Sequence, residues 1–207
     1  MLLYSLKFAW WNVSLSPAAK SAKPRDSQAN YQTVCEQLNH LIVEQGCHFI
    51  GLCEVSAADS DAIERYFEIH FEDLDFEIIN LAFKVGRTRF DTAVIFNRTR
   101  LSVEYLSQIS RSMTGQTIKA GQLLSVTDLR YDKSFKLVLC HWPSQLMGDS
   151  SDKRTNAGDL VRMTVREFME NDEDVIVMGD FNDNPYDDSV FKNLQAIKCH
   201  ESVRCYP

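Results

Sequence analysis

The sequence contains 207 residues, of which 44% are hydrophobic, so the chain is long enough for one sizeable domain with a buried core. We therefore expect a single domain over residues 1–207. The formal net charge is −7, from 22 basic and 29 acidic residues, and this excess of acid argues against general binding of polyanions, which depends mainly on Lys and Arg.

The first third of the chain predicts alternating strands and helices. Apolar residues alternate along the opening segment, and a helical pattern of apolar residues follows and stops at Gly46. The predicted elements are, in order, a strand that reaches Trp10 before polar Asn12, a helix from Ser27 through about Gln45, the strand HFIGLCE ending on Glu54, and a helix around Ser60 to His70.

The middle of the chain predicts consecutive strands joined by turns, namely FEIINLAF, TAVIFN, LSVEYLSQI, GQLLSVTDL and FKLVLCHW. Helical periodicity from about Asp152 to Glu170 then leads into a strand that opens as DVIVMGD. Because helices lie towards both ends of the chain and hairpins lie between them, the order of elements indicates an α+β fold with two packed sheets and helices outside.

Six cysteines are scattered along the chain without a C-x-x-C pair, and several lie inside apolar runs. This distribution favours reduced, buried thiols over a disulfide framework or a zinc site, and it favours the cytoplasm. No apolar run approaches the roughly 18 residues of a membrane span, and the first residues lack the pattern of a signal peptide. The cysteines are Cys35, Cys47, Cys53, Cys140, Cys199 and Cys205.

Positive charge is concentrated between Lys84 and Arg100, where five basic residues face a single acid, Asp91. This local basic patch is compatible with a phosphate-bearing substrate, and it is equally compatible with a solvated surface loop. The basic residues of the patch are Lys84, Arg87, Arg89, Arg98 and Arg100.

Four predicted strands end in the same way, with an apolar body followed by polar residues that can perform chemistry. Taken singly, each of these residues has an ordinary explanation, such as a helix cap, a structural histidine or an Asx turn. If the strands lie side by side, their ends meet at one edge, and we expect the polar residues to line one cleft there. The residues are Asn12, Glu54, His141, and Asp180 with Asn182.

These motifs occur in the order found in the endonuclease/exonuclease/phosphatase superfamily, which the sequence resembles over nearly its whole length. The matching motifs are WWNVS, IGLCEVS, VLCHWPSQ and VIVMGDFNDNP, of which GDFND is the most specific. The resemblance implies a four-layer αββα sandwich of the deoxyribonuclease I type, carrying a divalent-metal phosphodiesterase or phosphatase site.

The resemblance also implies roles for individual residues. Hydrolysis of a phosphate ester needs a metal for the non-bridging oxygens, hydrogen-bond donors for the phosphate and a group that orients water. The implied cofactor is Mg²⁺ or Mn²⁺, which prefer oxygen ligands. The roles are metal binding by Glu54 with Asn12, orientation of water by Asp180, and phosphate binding by His141 and Asn182 with additional contacts from Asn12 and Arg154.

The sequence departs from the family pattern in its last part. Family members continue to a late Asp-His pair, whereas only 25 residues (207 − 182) follow Asn182 and none of them forms that pair. His200 is the only later histidine, and we expect it to be a surface residue. The domain is thus expected to be C-terminally incomplete, with its second sheet missing the last strands.

Two interpretations remain for this chain: a hydrolase whose final segment is absent from this polypeptide, or a non-catalytic relic that still binds metal or phosphate or serves as an interaction module. The segment CHWPSQ favours nuclease-like relatives and hence a nucleic-acid substrate, with DNA preferred. The net charge of −7 keeps a small phosphoester as the alternative substrate. As given, we expect the chain to hydrolyse phosphodiesters slowly or not at all.

Overall fold

The structure is a computed structural model that describes residues 5–16, 27–86, 88–113, 116–145 and 150–196, without the side chains of residues 27–30 and 113. Contacts divide the chain into two compact units. The first unit consists of Met1–Val85, Arg89–Val103 and Val126–Ser134, and the second consists of Gly86–Thr88, Glu104–Ser125 and Phe135–Pro207. The expectation of a single domain stays a prediction.

Ten strands and three α-helices make up the described part of the chain. The strands are β1 (Phe8–Asn12), β2 (Phe49–Cys53), β3 (Phe76–Asn80), β4 (Lys84–Val85), β5 (Thr88–Arg89), β6 (Thr92–Asn97), β7 (Leu101–Met113), β8 (Gln116–Asp128), β9 (Lys133–His141) and β10 (Val175–Asp180). The helices are α1 (Ser27–Val43), α2 (Ala57–His70) and α3 (Ser151–Met169), and a π-helical turn covers Ser189–Asn193.

The sheet of the first unit has the strand order β1-β2-β6-β3. Strand β1 runs parallel to β2, whereas β6 is antiparallel to both β2 and β3. Strand β2 is buried along its whole length because its residues are apolar on both faces. The core of this unit joins Ile50 and Leu52 of β2 to Leu38 of α1 and Ile63 of α2.

The first two helices follow the sequence prediction closely, with one difference at the start of α2. Helix α1 ends two residues before the predicted end, and Gly46 adopts the left-handed conformation (φ +65°) that favours glycine after a helix. Helix α2 begins at Ala57 and not near Ser60, because Ser56 caps it and forms a capping box with Asp59. The sequence Ser-x-x-Asp carried this signal.

The sheet of the second unit has the strand order β10-β9-β8-β7, and β10 runs parallel to β9. Its core joins Val138 and Trp142 to Ala157 and Val161 of α3. The π-helical turn packs against α3 at Gly158, where a Cβ atom would come too close to backbone atoms of the turn. This turn and the two short strands β4 and β5 were not predicted, since segments of two to five residues give little periodic signal.

Two further observations bear on the sequence predictions. Cys35, Cys47, Cys53 and Cys140 are free and buried, as expected, and burial raises the pKa of Cys35 to about 12. The remaining two cysteines lie outside the described residues. None of the helices in the described ranges is long and apolar enough to cross a membrane.

Candidate functional site

Asn12 and Glu54 lie together in the first unit, at the carboxyl ends of two adjacent parallel strands. Asn12 is the last residue of β1 and is the register partner of Cys53, the last residue of β2, so Glu54 follows directly. The Asn12 Nδ2 atom donates a hydrogen bond to Glu54 Oε1 at 3.1 Å, and Asn12 Oδ1 accepts one from the Ser14 amide at 3.1 Å. Both ends of the Asn12 amide are thereby oriented.

The backbone of Glu54 is strained. Its φ angle is +59°, in the left-handed region that a residue with a Cβ atom rarely adopts. Two backbone hydrogen bonds surround it, from the Ser16 amide to the Glu54 carbonyl at 2.6 Å and from the Val55 amide to the Asp91 carbonyl at 3.1 Å. The fold therefore holds the backbone of Glu54 in a conformation that glycine would adopt more easily.

A hydrogen-bond network centred on Asp59 supports the segment that contacts Glu54. Asp59 accepts hydrogen bonds from Ser16 Oγ at 2.6 Å, from the Tyr31 hydroxyl and from Ser56. Burial alone would raise the pKa of Asp59, but these hydrogen bonds outweigh it and the pKa lies below its usual value. Burial and the hydrogen bond to Asp59 raise the pKa of Tyr31 to about 12. The contacts of Asp59 with Ser16 and Tyr31 are not apparent from the sequence, because these residues lie 43 and 28 positions away.

His141 and Asp180 lie together in the second unit. They are the last residues of the adjacent parallel strands β9 and β10, and they are register partners. The amide of Trp142 donates to the Asp180 carbonyl at 2.9 Å, which continues the ladder past the strand ends. Gly179 allows this close approach, because a Cβ atom there would overlap the Cys140 carbonyl.

Asn182 is anchored beside Asp180 by its own backbone and side chain. Its amide donates to Asp180 Oδ1 at 3.0 Å, and its Nδ2 atom donates to the Trp142 carbonyl at 2.9 Å. The rings of Trp142 and Phe181 pack edge to face at 5.0 Å, and Trp142 is 1% exposed. An Asx-type hydrogen bond is thus present, but it engages only one oxygen of Asp180 and only one N–H of the Asn182 side chain.

Arg154, on α3, is 6% exposed and its guanidinium is held by residues of the second unit. Its Nε atom lies 2.8 Å from Asp183 Oδ2, and its Nη1 atom donates to Ser150 Oγ at 2.7 Å and to the Pro143 carbonyl at 3.3 Å. These contacts fix Arg154 inside the protein.

A polar cleft of about 570 Å³ opens beside Arg154 within the second unit. Its walls combine hydroxyl and amide groups with three carboxylates, those of Asp183, Asp187 and Asp188. Acidic walls oppose the approach of a polyanion and tolerate neutral polar groups.

The basic residues between Lys84 and Arg100 do not form an isolated positive patch in the described residues. Arg98 pairs with Asp75 at 3.2 Å, and Arg100 pairs with Asp128 at 2.9 Å. Arg89 donates to the Ser16 carbonyl at 2.7 Å. These arginines therefore stabilise the first unit, and Arg87 lies outside the described residues.

The structure thus brings Asn12 to Glu54 in the first unit, and His141, Asp180 and Asn182 together in the second. The expectation that all five line one cleft stays a prediction. His200 lies outside the described residues.

Comparison with protein families adds an independent observation. Residues 17–206 match the model of the Endonuclease/Exonuclease/phosphatase family. The chain belongs to this family. The superfamily identified from the sequence motifs is thereby confirmed, and its members are hydrolases that act on phosphoesters.

Three solved structures resemble the chain. The human nocturnin catalytic domain with a bound sulfate anion is 15% identical, with a TM-score of 0.59, and the match covers 87% of this chain and 66% of that one. TDP2 of D. rerio with a single-stranded DNA product is 17% identical (TM-score 0.58; 94% and 66% covered). The mannosyl-6-phosphatase Bt3783 of Bacteroides thetaiotaomicron is 12% identical (TM-score 0.66; 92% and 70% covered).

These likenesses confirm the predicted α+β fold class of the deoxyribonuclease I type. The chain spans just under two thirds of the length of the nocturnin and TDP2 chains. A comparison with curated protein sequences gives no match.

Proposed function

We propose that the chain is a divalent-metal-dependent phosphodiesterase of the nuclease type. The observation that carries the proposal is the strained backbone of Glu54, whose φ angle lies in the left-handed region. A hydrogen bond from Asn12 orients the carboxylate of this residue. Backbone strain of this kind costs about 1–3 kcal/mol and persists at functional sites, where the surrounding structure over-determines it.

Glu54 and Asn12 are the residues proposed to hold the metal, Mg²⁺ or Mn²⁺. One carboxylate oxygen of Glu54, Oε1, accepts the hydrogen bond from Asn12 Nδ2. The other carboxylate oxygen of Glu54 and the side-chain oxygen of Asn12, Oδ1, would serve as metal ligands. Such hard donors fit these ions. When bound, the metal would neutralise the non-bridging oxygens of a phosphate ester.

Asp180, His141 and Asn182 are proposed to act on the phosphate and on the attacking water. Asp180 Oδ1 accepts the Asn182 amide, so Oδ2 is assigned the role of orienting water. Asn182 retains one side-chain N–H for a phosphate oxygen, and His141, across the strand pair from Asp180, donates a second hydrogen bond. Asn12 is also proposed to contact phosphate.

The proposed substrate is a nucleic acid, with DNA preferred over RNA. The similar TDP2 structure holds single-stranded DNA product, which supports this class. The second candidate is a small phosphoester, which is favoured by the three carboxylates in the cleft and by the existence of a mannosyl-6-phosphatase with the same fold. We also propose a cytoplasmic location, which the four buried free thiols support.

The test is a substrate panel of supercoiled DNA, RNA, bis-p-nitrophenyl phosphate and sugar phosphates, with Mg²⁺ or Mn²⁺, for protein purified free of host nucleases. We expect at most slow metal-dependent hydrolysis by wild type, and we expect Asp180→Ala to lower that rate by a further factor of about 10²–10⁴. The control is Asp174→Ala, an exposed carboxylate just before the start of the same strand. Binding of metal and phosphate without turnover would support the non-catalytic alternative, and equal rates for wild type and Asp180→Ala would contradict the proposal.

A further inference from the structure

We propose that Gln145, Arg154 and Asp183 are positioning residues that hold Asn182 in place to bind phosphate. This inference rests on the proposed function, because it assigns to Asn182 the phosphate contact described above. It gives Arg154 a role different from the direct phosphate contact that the sequence suggested, and it gives a role to Gln145 and Asp183, which lie within the matching motifs but had no role assigned.

Arg154 and Asp183 form a buried ion pair between α3 and the turn that follows β10. The Nε–Oδ2 distance is 2.8 Å, and both side chains are 7% exposed. Two buried charges are tolerated when they pair with each other. The Nε–H group lies close to Asp183 Oδ2 but is not aligned for a hydrogen bond, so this contact is electrostatic. Nη1 of Arg154 reaches Ser150 Oγ and the Pro143 carbonyl, so the same guanidinium also holds the segment that follows β9.

Asp183 is satisfied from three sides. Besides Arg154, it accepts hydrogen bonds from Ser189 Oγ at 2.6 Å and from Gln145 Nε2 at 2.9 Å. Burial acts to raise the pKa of Asp183, but the hydrogen bond from Ser189 and the close contact with the charged Arg154 outweigh it, so the pKa lies below its usual value. Asp183 is therefore an anion in a fixed position that binds Arg154, Ser189 and Gln145.

Gln145 connects this pair directly to Asn182. Its Nε2 atom donates both to Asp183 Oδ1 and, at 3.1 Å, to the carbonyl of Asn182. This hydrogen bond holds the Asn182 backbone at a φ angle of +51°, in the left-handed region that Asn adopts more readily than most residues. The side chain of Asn182 is meanwhile held by the carbonyl of Trp142, the first residue after β9. The backbone and the side chain of Asn182 are thus both held by the segment that follows β9.

Accessibility argues that Arg154 acts through Asn182 and not on the substrate. A guanidinium that is 7% exposed and engaged with Asp183, Ser150 and Pro143 must break buried contacts to reach a phosphate. Fixed geometry at Asn182 is valuable because a displacement of about 1 Å at a site commonly costs about 10²-fold in rate.

The test uses Gln145→Ala and Gln145→Glu, because Gln145 is exposed and its replacement leaves the buried ion pair intact. Gln145→Glu places a carboxylate against the Asp183 carboxylate and the Asn182 carbonyl. The control is Gln116→Glu, the same charge change at an exposed position of the second unit. Arg154→Lys keeps the charge but loses the guanidinium fork, and thus tests the ion pair itself.

Three quantities are measured for each variant: the affinity for inorganic phosphate, the affinity for Mn²⁺, and the hydrogen-exchange rate of the Asn182 amide. We expect Gln145→Glu to lower phosphate affinity about 10–100-fold, as supporting contacts around a site typically do, and to accelerate exchange at Asn182. Gln145→Ala and Arg154→Lys should have smaller effects in the same direction. Mn²⁺ affinity should stay within twofold of wild type, which a general loss of folding would not allow.

Unchanged phosphate affinity in both Gln145 variants would overturn the inference if phosphate binding by wild type depends on Asn182, as judged from Asn182→Ala. In that case the proposed function would stand. If wild type binds no phosphate, or if Asn182→Ala binds it as well as wild type does, the assignment of Asn182 is wrong and the inference falls with it.

Discussion

Replacement of Glu54 by glycine and by alanine should show that this residue is kept at a cost in stability. Both substitutions remove the hydrogen bond from Asn12, so that loss cancels in their comparison. Alanine retains a Cβ atom and hence the penalty of φ +59°, about 1–2 kcal/mol. Glycine avoids this penalty, but it lowers the stability by about 0.4–1 kcal/mol because it gives the unfolded chain more conformational entropy. Glu54→Gly should therefore be more stable than Glu54→Ala by about 1 kcal/mol.

The assay is urea denaturation of both variants, supported by thermal unfolding, in which about 1 kcal/mol corresponds to about 2–4 °C for a chain of this size. Glu64 provides the matched control because it is exposed in the middle of α2. There the order should reverse, with Glu64→Ala more stable than Glu64→Gly by about 1 kcal/mol. If Glu54→Ala is more stable than Glu54→Gly by as much as alanine exceeds glycine at the control position, the strain at Glu54 does not exist.

Three further outcomes are expected. Gly179→Ala should destabilise the protein by about 1–3 kcal/mol in urea denaturation, since a Cβ atom overlaps the Cys140 carbonyl; a neutral effect would contradict the close strand approach. The pKa of Asp59 lies below its ordinary value of 3.8, so its stabilising contribution is present above that pH and lost as the pH falls further. The stability difference between wild type and Asp59→Asn should accordingly shrink in acid, and a difference that grows in acid would refute the assignment. Asn182→Ala should weaken phosphate binding without changing Mn²⁺ affinity, as judged by calorimetry.

Much of the fold was predictable because apolar periodicity decides long elements. The spans of α1, α3, β2 and β10 differ from the prediction by at most a few residues, since each carries an uninterrupted apolar pattern. Strand β7 extends beyond its predicted end through exposed polar residues, Arg111 and Ser112. Strand β8 begins five residues before its predicted start, and this extension buries only Ile118 and Ala120. Such short extensions carry too few apolar residues for periodicity to report them.

The residues at the strand ends were also predictable, whereas the contacts that orient them were not. Asn12 and Glu54, 42 positions apart, had to be related through the parallel pairing of two strands. The pair of Arg154 with Asp183 was missed because a basic residue on a helix near a predicted phosphate site has the same sequence signature whether it binds substrate or an internal acid. Burial decides between these roles, and burial depends on tertiary packing.

Binding of a divalent metal by Glu54 is the central claim, because the chemistry assigned to the other residues assumes it. The most direct measurement is calorimetric titration of Mn²⁺ into wild type, Glu54→Gln and the exposed-site control Glu68→Gln. The account predicts one site in wild type and in Glu68→Gln, with affinity at least about 10-fold weaker in Glu54→Gln, which keeps the side-chain volume but loses the charge. Equal Mn²⁺ affinity in wild type and Glu54→Gln would contradict it.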